Sequence, residues 1–149
     1  MKKTRLLSAV FCMVFVAIFA AAQIPTPQTT YKPKFKGDPA RSDSEAAALG
    51  YMRTFLRAQR IYKKKNNHYA TSLLALVHTG SFTRRMVSTD RDAYTVQFTP
   101  HKEKDTFEIR MTPKQPDATR RSFFADEDGT IRANDQGEAD EHSPVLRAD

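Results

Sequence analysis

The longest periodic pattern in the chain predicts one amphipathic helix from Ser44 to about Lys64. Apolar side chains recur there every three or four positions and fall on one half of a helical cylinder, as shown by Leu49, Tyr51, Met52, Phe55, Leu56, Ala58 and Tyr62. Ser42-x-x-Glu45 is a capping box, in which the serine hydroxyl and the glutamate carboxylate satisfy N–H groups of the first turn. Asn66-Asn67 predicts the end of the helix.

After residue 90 the period of the pattern changes to two, which predicts strands. Apolar residues alternate with polar ones over 94–99 and again over 107–112, which favours an antiparallel hairpin with one apolar face. A second hairpin is expected from 121–125 and 130–133, because Gly129 supplies the positive φ for the turn between them. Together with a short helical turn over 71–76, the pattern predicts an α+β fold. One long N-terminal amphipathic helix packs on a small antiparallel sheet of about four strands.

The first 22 residues have the pattern of a secretory signal peptide. A basic start precedes an apolar run from Leu6, and Ala20-Ala21-Ala22 offers the small residues needed for cleavage before Gln23. The alternative is an uncleaved membrane anchor, because the run reaches the short limit for a bilayer span. Cleavage would lower the net charge from +7 to +4 and remove Cys12, the one cysteine. We therefore expect a periplasmic or secreted protein that folds without disulfides.

The rest of the chain is expected to consist of three parts. Residues 23–43 contain four prolines with lysines between them, which is typical of an extended, solvated tether. The α+β domain should cover 44–133. Residues 134–149 are polar, with acidic side chains outnumbering basic ones, and are expected to form a flexible acidic tail.

Composition and motifs limit the classes of protein and the kinds of site that the chain can represent. The chain has 149 residues, 28% of them charged, and ten Phe, which indicates one small folded domain rather than a fibre or a fully disordered protein. No nucleophile elbow, phosphate-binding loop or dinucleotide fingerprint is recognisable. The four histidines lack metal-ligand spacing and a neighbouring cysteine: His68, His78, His101 and His142. We therefore expect no enzyme activity and no resident cofactor, calcium apart.

Four cations form a basic stripe on the polar half of the predicted helix: Arg53, Arg57, Arg60 and Lys64. Like charges at this spacing repel mildly, so the helix itself gains nothing from them. A solvated face is one interpretation, and a docking surface for an acidic partner, an anionic membrane surface or DNA is the other. No nucleic-acid-binding motif accompanies the stripe. We expect an envelope protein as partner, no nucleic acid, and a membrane only if the N-terminal segment is retained.

A polar turn at Asp126-Glu127-Asp128-Gly129 is the second candidate site. The carboxylates of Asp126 and Asp128 could bind calcium, although the spacing differs from an EF-hand because Ile131 stands where that loop needs glycine. A simple turn is the alternative.

Several short motifs bear a family resemblance. They lie at Glu45–Thr54, Ala58–Tyr62, His68–Leu76, Tyr94–Pro100 and Arg121–Arg132. Together they resemble the globular half of type IV pilin-like proteins, especially the major pseudopilins of type II secretion systems. The resemblance covers about 44–133 and implies a pilin-like head with a helix, a variable loop and an antiparallel sheet. The calcium-binding loop of pseudopilins adds some interest to Asp126 and Asp128.

The chain departs from this family at its N-terminus. Pilins have a short basic leader, a Gly-Phe-Thr-Leu-x-Glu processing motif and a long apolar helix continuous with the head. Here an ordinary signal peptide and a proline-rich tether stand instead. We expect a released, non-catalytic interaction module related to type II secretion or type IV pilus components. The alternatives are a membrane-anchored pseudopilin-type subunit that keeps residues 6–22, and a small exported ligand-binding protein.

Overall fold

The structure is a computed structural model that describes residues 31–147. The predicted signal peptide and the first part of the tether lie outside these residues. One α-helix, two short 3-10 helices and five strands follow in chain order: α1 (Asp43–Asn66), the 3-10 helices Leu74–Leu76 and Arg84–Val87, β1 (Asp90–Arg91), β2 (Tyr94–His101), β3 (Thr106–Pro113), β4 (Ser122–Asp126) and β5 (Arg132–Asn134). Neighbouring strands are antiparallel, and their order in the sheet is the order in the chain.

The predicted α+β class is confirmed, and two details of the prediction are wrong. The sheet has five strands rather than about four. The additional strand, β1, is only two residues long, so no alternation of apolar and polar positions could mark it. The helix begins at Asp43 and is therefore not at the N-terminus of the chain.

Both ends of α1 lie within two residues of the predicted bounds, Ser44 and Lys64. Ser42 is the N-cap, and its hydroxyl accepts a hydrogen bond from the N–H of Glu45 at 3.2 Å. The glutamate half of the box differs from the prediction, since the Glu45 carboxylate accepts from the N–H of Arg41 at 2.8 Å. Asn67 ends the helix in the left-handed region, at φ 63°, and its N–H donates to the carbonyl of Lys63.

The core lies between α1 and one face of the sheet. Phe55 on α1 is fully buried, and its ring lies 5.2 Å from the Phe98 ring and 5.5 Å from the Phe107 ring, between centroids. The register pairs Val96 with Met111 across β2 and β3, so their apolar side chains share the inner face. Alternation in the sequence therefore identified the buried face of this hairpin.

A buried amide ties α1 to the loop that follows it. Gln59 has no exposed surface. Its Nε2 donates to the carbonyl of Ala70 at 3.1 Å, and its Oε1 accepts from the N–H of Ala70 at 2.9 Å. The side chain thus satisfies both backbone groups of one buried loop residue.

The segment before α1 is folded on itself from residue 31. Asp38 accepts hydrogen bonds from the Tyr31 hydroxyl at 2.5 Å, from the N–H of Lys34 at 3.0 Å and from the N–H of Ala40 at 3.2 Å. Ala40 is buried in the core. This packing differs from the solvated tether that the proline content predicts, because composition does not show where one aspartate will gather local N–H groups.

The segment after β5 also packs on the domain. The N–H of Ala133 donates to the carbonyl of Pro144 at 3.0 Å, and the N–H of Leu146 donates to the carbonyl of Ile131 at 2.9 Å. Ala139 is buried, and Leu146 packs against the core. The structure thus differs from a loosely packed tail that starts at residue 134. Within residues 31–147, no helix has both the length and the apolar character that a membrane span requires.

Candidate functional site: a basic groove beside the helix

The basic stripe lies on the solvent side of α1. Arg53, Arg57, Arg60 and Lys64 are all exposed. Two of them, Arg53 and Arg60, line a groove of about 440 Å³ together with Leu56. They stand seven residues apart, which is about two helical turns, so both side chains leave the same side of the helix. Arg57 and Lys64 lie outside the lining of this groove.

The other walls of the groove come from three distant segments. Gly37 and Pro39 precede α1, the turn between β4 and β5 contributes 129–131, and the C-terminal segment contributes Val145 and Leu146. Gly129 closes the turn at φ 78°, a conformation that glycine adopts without a steric penalty.

The floor of the groove is apolar. Leu56 is nearly buried, and Ile131 and Leu146 both pack against the core. The groove therefore combines two guanidinium groups with an apolar floor, a combination suited to an anionic group attached to an apolar body.

The positive charge of the stripe is not neutralised within the part of the chain that the structure describes. Arg57, Arg60 and Lys64 make no hydrogen bond or ion pair with another residue of 31–147. The guanidinium of Arg53 lies 5.5 Å from the centroid of the Phe35 ring, which is 51% exposed.

Asp38, whose carboxylate senses the charge of Arg53, is engaged by other groups. Asp38 has a pKa below its usual range, chiefly because the Tyr31 hydroxyl donates to it, with the backbone N–H of Lys34 and the charge of Arg53 adding to the effect. Its oxygens hold the segment before α1. Arg53 therefore still faces the groove as a cation that an external carboxylate could approach.

A second basic cavity, of about 390 Å³, adjoins the groove. It is lined by Arg41, Arg147 and part of Arg121, and it shares Val145 and Leu146 with the groove. Arg41 forms an ion pair with Asp135 at 3.0 Å. Arg121 is buried against Glu45. The C-terminal segment therefore runs between two cavities that are both lined by arginine.

The calcium candidates Asp126 and Asp128 accept hydrogen bonds within the turn between β4 and β5. The N–H of Asp128 donates to Oδ1 of Asp126 at 3.1 Å, and the N–H of Thr130 donates to Oδ1 of Asp128. Burial and a hydrogen bond with Asp128 raise the pKa of Asp126. The negatively charged form of Asp126 is therefore disfavoured beside the carboxylate of Asp128. Residues 31–147 contain no group of three or more His, Cys, Asp or Glu arranged around a metal position. Calcium binding by Asp126 and Asp128 stays a prediction.

Sequence reasoning missed the far side of the groove. Helical spacing singles out Arg53 and Arg60, but 129–131 and 145–146 join them only through tertiary packing. Phe35 was missed because it lies in the proline-rich segment. Its aromatic side chain between lysines, in an otherwise polar stretch, is the one signal that could have drawn attention to it.

Comparisons with known proteins add no relative to this picture. No protein-family model matches the chain, and neither a curated protein nor a solved structure matches it.

Proposed function

We propose that the protein is a non-catalytic, exported interaction module that binds an acidic protein of the cell envelope through the basic groove. One observation carries the proposal: Arg53 and Arg60 line an open groove with an apolar floor, and the stripe to which they belong has no ion-pair partner among residues 31–147. An acidic partner would supply the missing countercharge, and its apolar side chains would cover Leu56.

The order of elements supports a relation to pilin-like heads. A long helix is followed by a loop with two 3-10 helices and then by an antiparallel sheet, which is the order that the resemblance implies. By analogy of fold, the expected partners are type II secretion or type IV pilus components. Export is supported by the signal-peptide pattern of residues 1–22.

The size of the groove favours one second candidate, a small exported ligand-binding protein. A volume of about 440 Å³ falls within the range of small-molecule sites. The ligand would be an organic anion with an apolar body. It would be retained by the purified protein and found by mass spectrometry after denaturation, whereas a protein partner would be captured only from envelope extracts.

Charge reversal tests the proposed function. The variant Arg53→Glu/Arg57→Glu/Arg60→Glu should keep the helical circular dichroism of the wild type, because all three side chains are exposed. Capture of an acidic envelope protein should fall at least about tenfold, since the attraction becomes a repulsion.

A matched control makes the same change of charge elsewhere. Arg84, Arg85 and Lys102 are exposed and lie outside the lining of the groove. The variant Arg84→Glu/Arg85→Glu/Lys102→Glu should capture the partner as the wild type does. Equal capture by the groove variant and the control would remove the groove from consideration.

A further inference from the structure

The last described residues form an isolated β-bridge on the open side of β5. Arg132 and Val145 form an antiparallel bridge. It is flanked by the hydrogen bond from the N–H of Ala133 to the carbonyl of Pro144 and by the one from the N–H of Leu146 to the carbonyl of Ile131. In this pattern the bridge pair itself is not hydrogen-bonded, so the N–H and C=O of Val145 point away from β5.

Val145 therefore forms an open edge of the sheet. Its N–H and C=O make no hydrogen bond with any residue in the described range, and its surface is 44% exposed. Unpaired N–H and C=O groups at an edge are a template for an added strand.

The arginines around this edge determine which charge an added strand should carry. Val145 lines both the groove with Arg53 and Arg60 and the second cavity with Arg41 and Arg147. Of these four, Arg41 is paired with Asp135. A strand laid along Val145 would thus run past arginines on both sides, which favours acidic side chains and disfavours basic ones.

We propose that the edge at Val145 binds an extended acidic segment of the partner as an added β-strand. This inference rests on the proposed function and names the conformation of the acidic partner. One residue of the segment exchanges two hydrogen bonds with Val145. Acidic side chains before and after that residue enter the groove and the second cavity, since alternate residues of a strand share one face. A helical partner on the stripe would not use the N–H of Val145.

Two synthetic peptides test this mode. The probe is a capped ten-residue peptide of alternating Glu and Val, and its control replaces every Glu with Lys. The Glu peptide should bind the full chain and the Lys peptide should not. Failure of the Glu peptide to bind the wild type would overturn the proposal.

A substitution at the edge isolates the backbone contact. Val145→Pro removes the outward N–H, changes no charge and keeps the bonds of Ala133 and Leu146 to their partners. This substitution should weaken binding of the Glu peptide about tenfold, which is the effect expected from losing about one hydrogen bond. Val145→Thr keeps the N–H and should bind as the wild type does. Equal affinity of Val145→Pro and the wild type would overturn the added strand.

Hydrogen exchange of the wild-type protein tests the added strand without relying on a variant that must fold. Saturating Glu peptide should slow hydrogen exchange of the Val145 amide at least about tenfold, and an unchanged rate would overturn the proposal.

The two proposals can fail separately. If Val145→Pro captures the envelope partner normally while the groove variant does not, the added strand fails and the proposed function stands. If the groove variant also captures it normally, the proposed function fails.

Discussion

At the scale of single residues, the carboxylate of Glu45 joins three parts of the chain. Its Oε2 accepts from the N–H of Arg41 before the helix, and its Oε1 accepts from the N–H of Arg121 just before β4 at 2.8 Å. The Arg121 guanidinium completes the pair, with Nη2 at 2.9 Å from Oε2 and a further bond to the carbonyl of Pro39. Glu45 is fully buried, so the cost of removing its charge from water is offset only because four N–H donors surround it.

The amide of Gln59 offers the cleanest test at this scale. Gln59→Leu should lower the free energy of unfolding by about 3 kcal/mol, because it leaves the N–H and C=O of Ala70 buried without partners. Urea unfolding of the purified protein measures the change. Gln97→Leu is the matched control, since Gln97 is exposed on β2, and it should change stability by less than about 0.5 kcal/mol. Equal effects of the two variants would contradict the assigned role of Gln59.

At the scale of elements, the C-terminal segment belongs to the fold. Leu146 packs against the core, whereas its neighbour Val145 is exposed. Leu146→Ala should therefore cost about 1–2 kcal/mol in thermal or urea unfolding, less than a fully buried leucine would. Val145→Ala should stay within about 0.5 kcal/mol of the wild type. If both substitutions are neutral, the segment contributes no packing energy and behaves as the flexible tail that composition predicts.

The elements that the sequence predicts well are those whose hydrophobic pattern repeats over many residues. α1 shows the apolar spacing from Leu49 to Tyr62, which is about four turns, and apolar and polar residues alternate over 94–99 in β2 and 107–112 in β3, so burial of one face leaves a clear pattern. β1 has two residues and leaves none. The bridge at Val145 was missed because its pairing with Arg132 depends on the path of the intervening residues, which their polar composition does not encode.

The candidate site was predicted only on its helical side. Arg53 and Arg60 follow from helix geometry, because spacing along a helix fixes which side chains share a face. The apolar floor formed with Ile131 and Leu146 results from packing between segments more than seventy residues apart in the chain. Local patterns carry no information about such contacts.

At the scale of the whole molecule, several carboxylates make stability depend on pH. Hydrogen bonds from Tyr31, Lys63 and Arg120 are the main reasons why the pKa values of Asp38, Asp105 and Asp117 are lowered, in that order. The unfolded chain, with ordinary aspartate pKa values, then binds more protons than the folded chain in acid. Stability is therefore fully present above about pH 4 and is lost as the pH falls through the folded pKa values.

Asp117 gives this expectation a single-site test, because its pKa is lowered to about 2. Asp117→Asn should be less stable than the wild type at neutral pH, since Arg120 loses its charged partner. The difference should shrink as the pH falls from about 4 towards 2, where the wild-type carboxyl becomes protonated. Urea unfolding of both proteins at several pH values measures it. A difference that stays constant over this range would contradict the role of the Asp117 charge.

The order of strands in the sheet has a consequence for how the chain can assemble. Each strand from β2 to β5 pairs with the one synthesised just before it, and within residues 31–147 none is inserted between two strands that already pair. The sheet can therefore grow by addition at one edge while the polypeptide emerges, N-terminus first, from a ribosome or a translocation channel. Val145 bridges β5 after this series of strands, so the edge that we assign to the partner is the one that pairs last among residues 31–147.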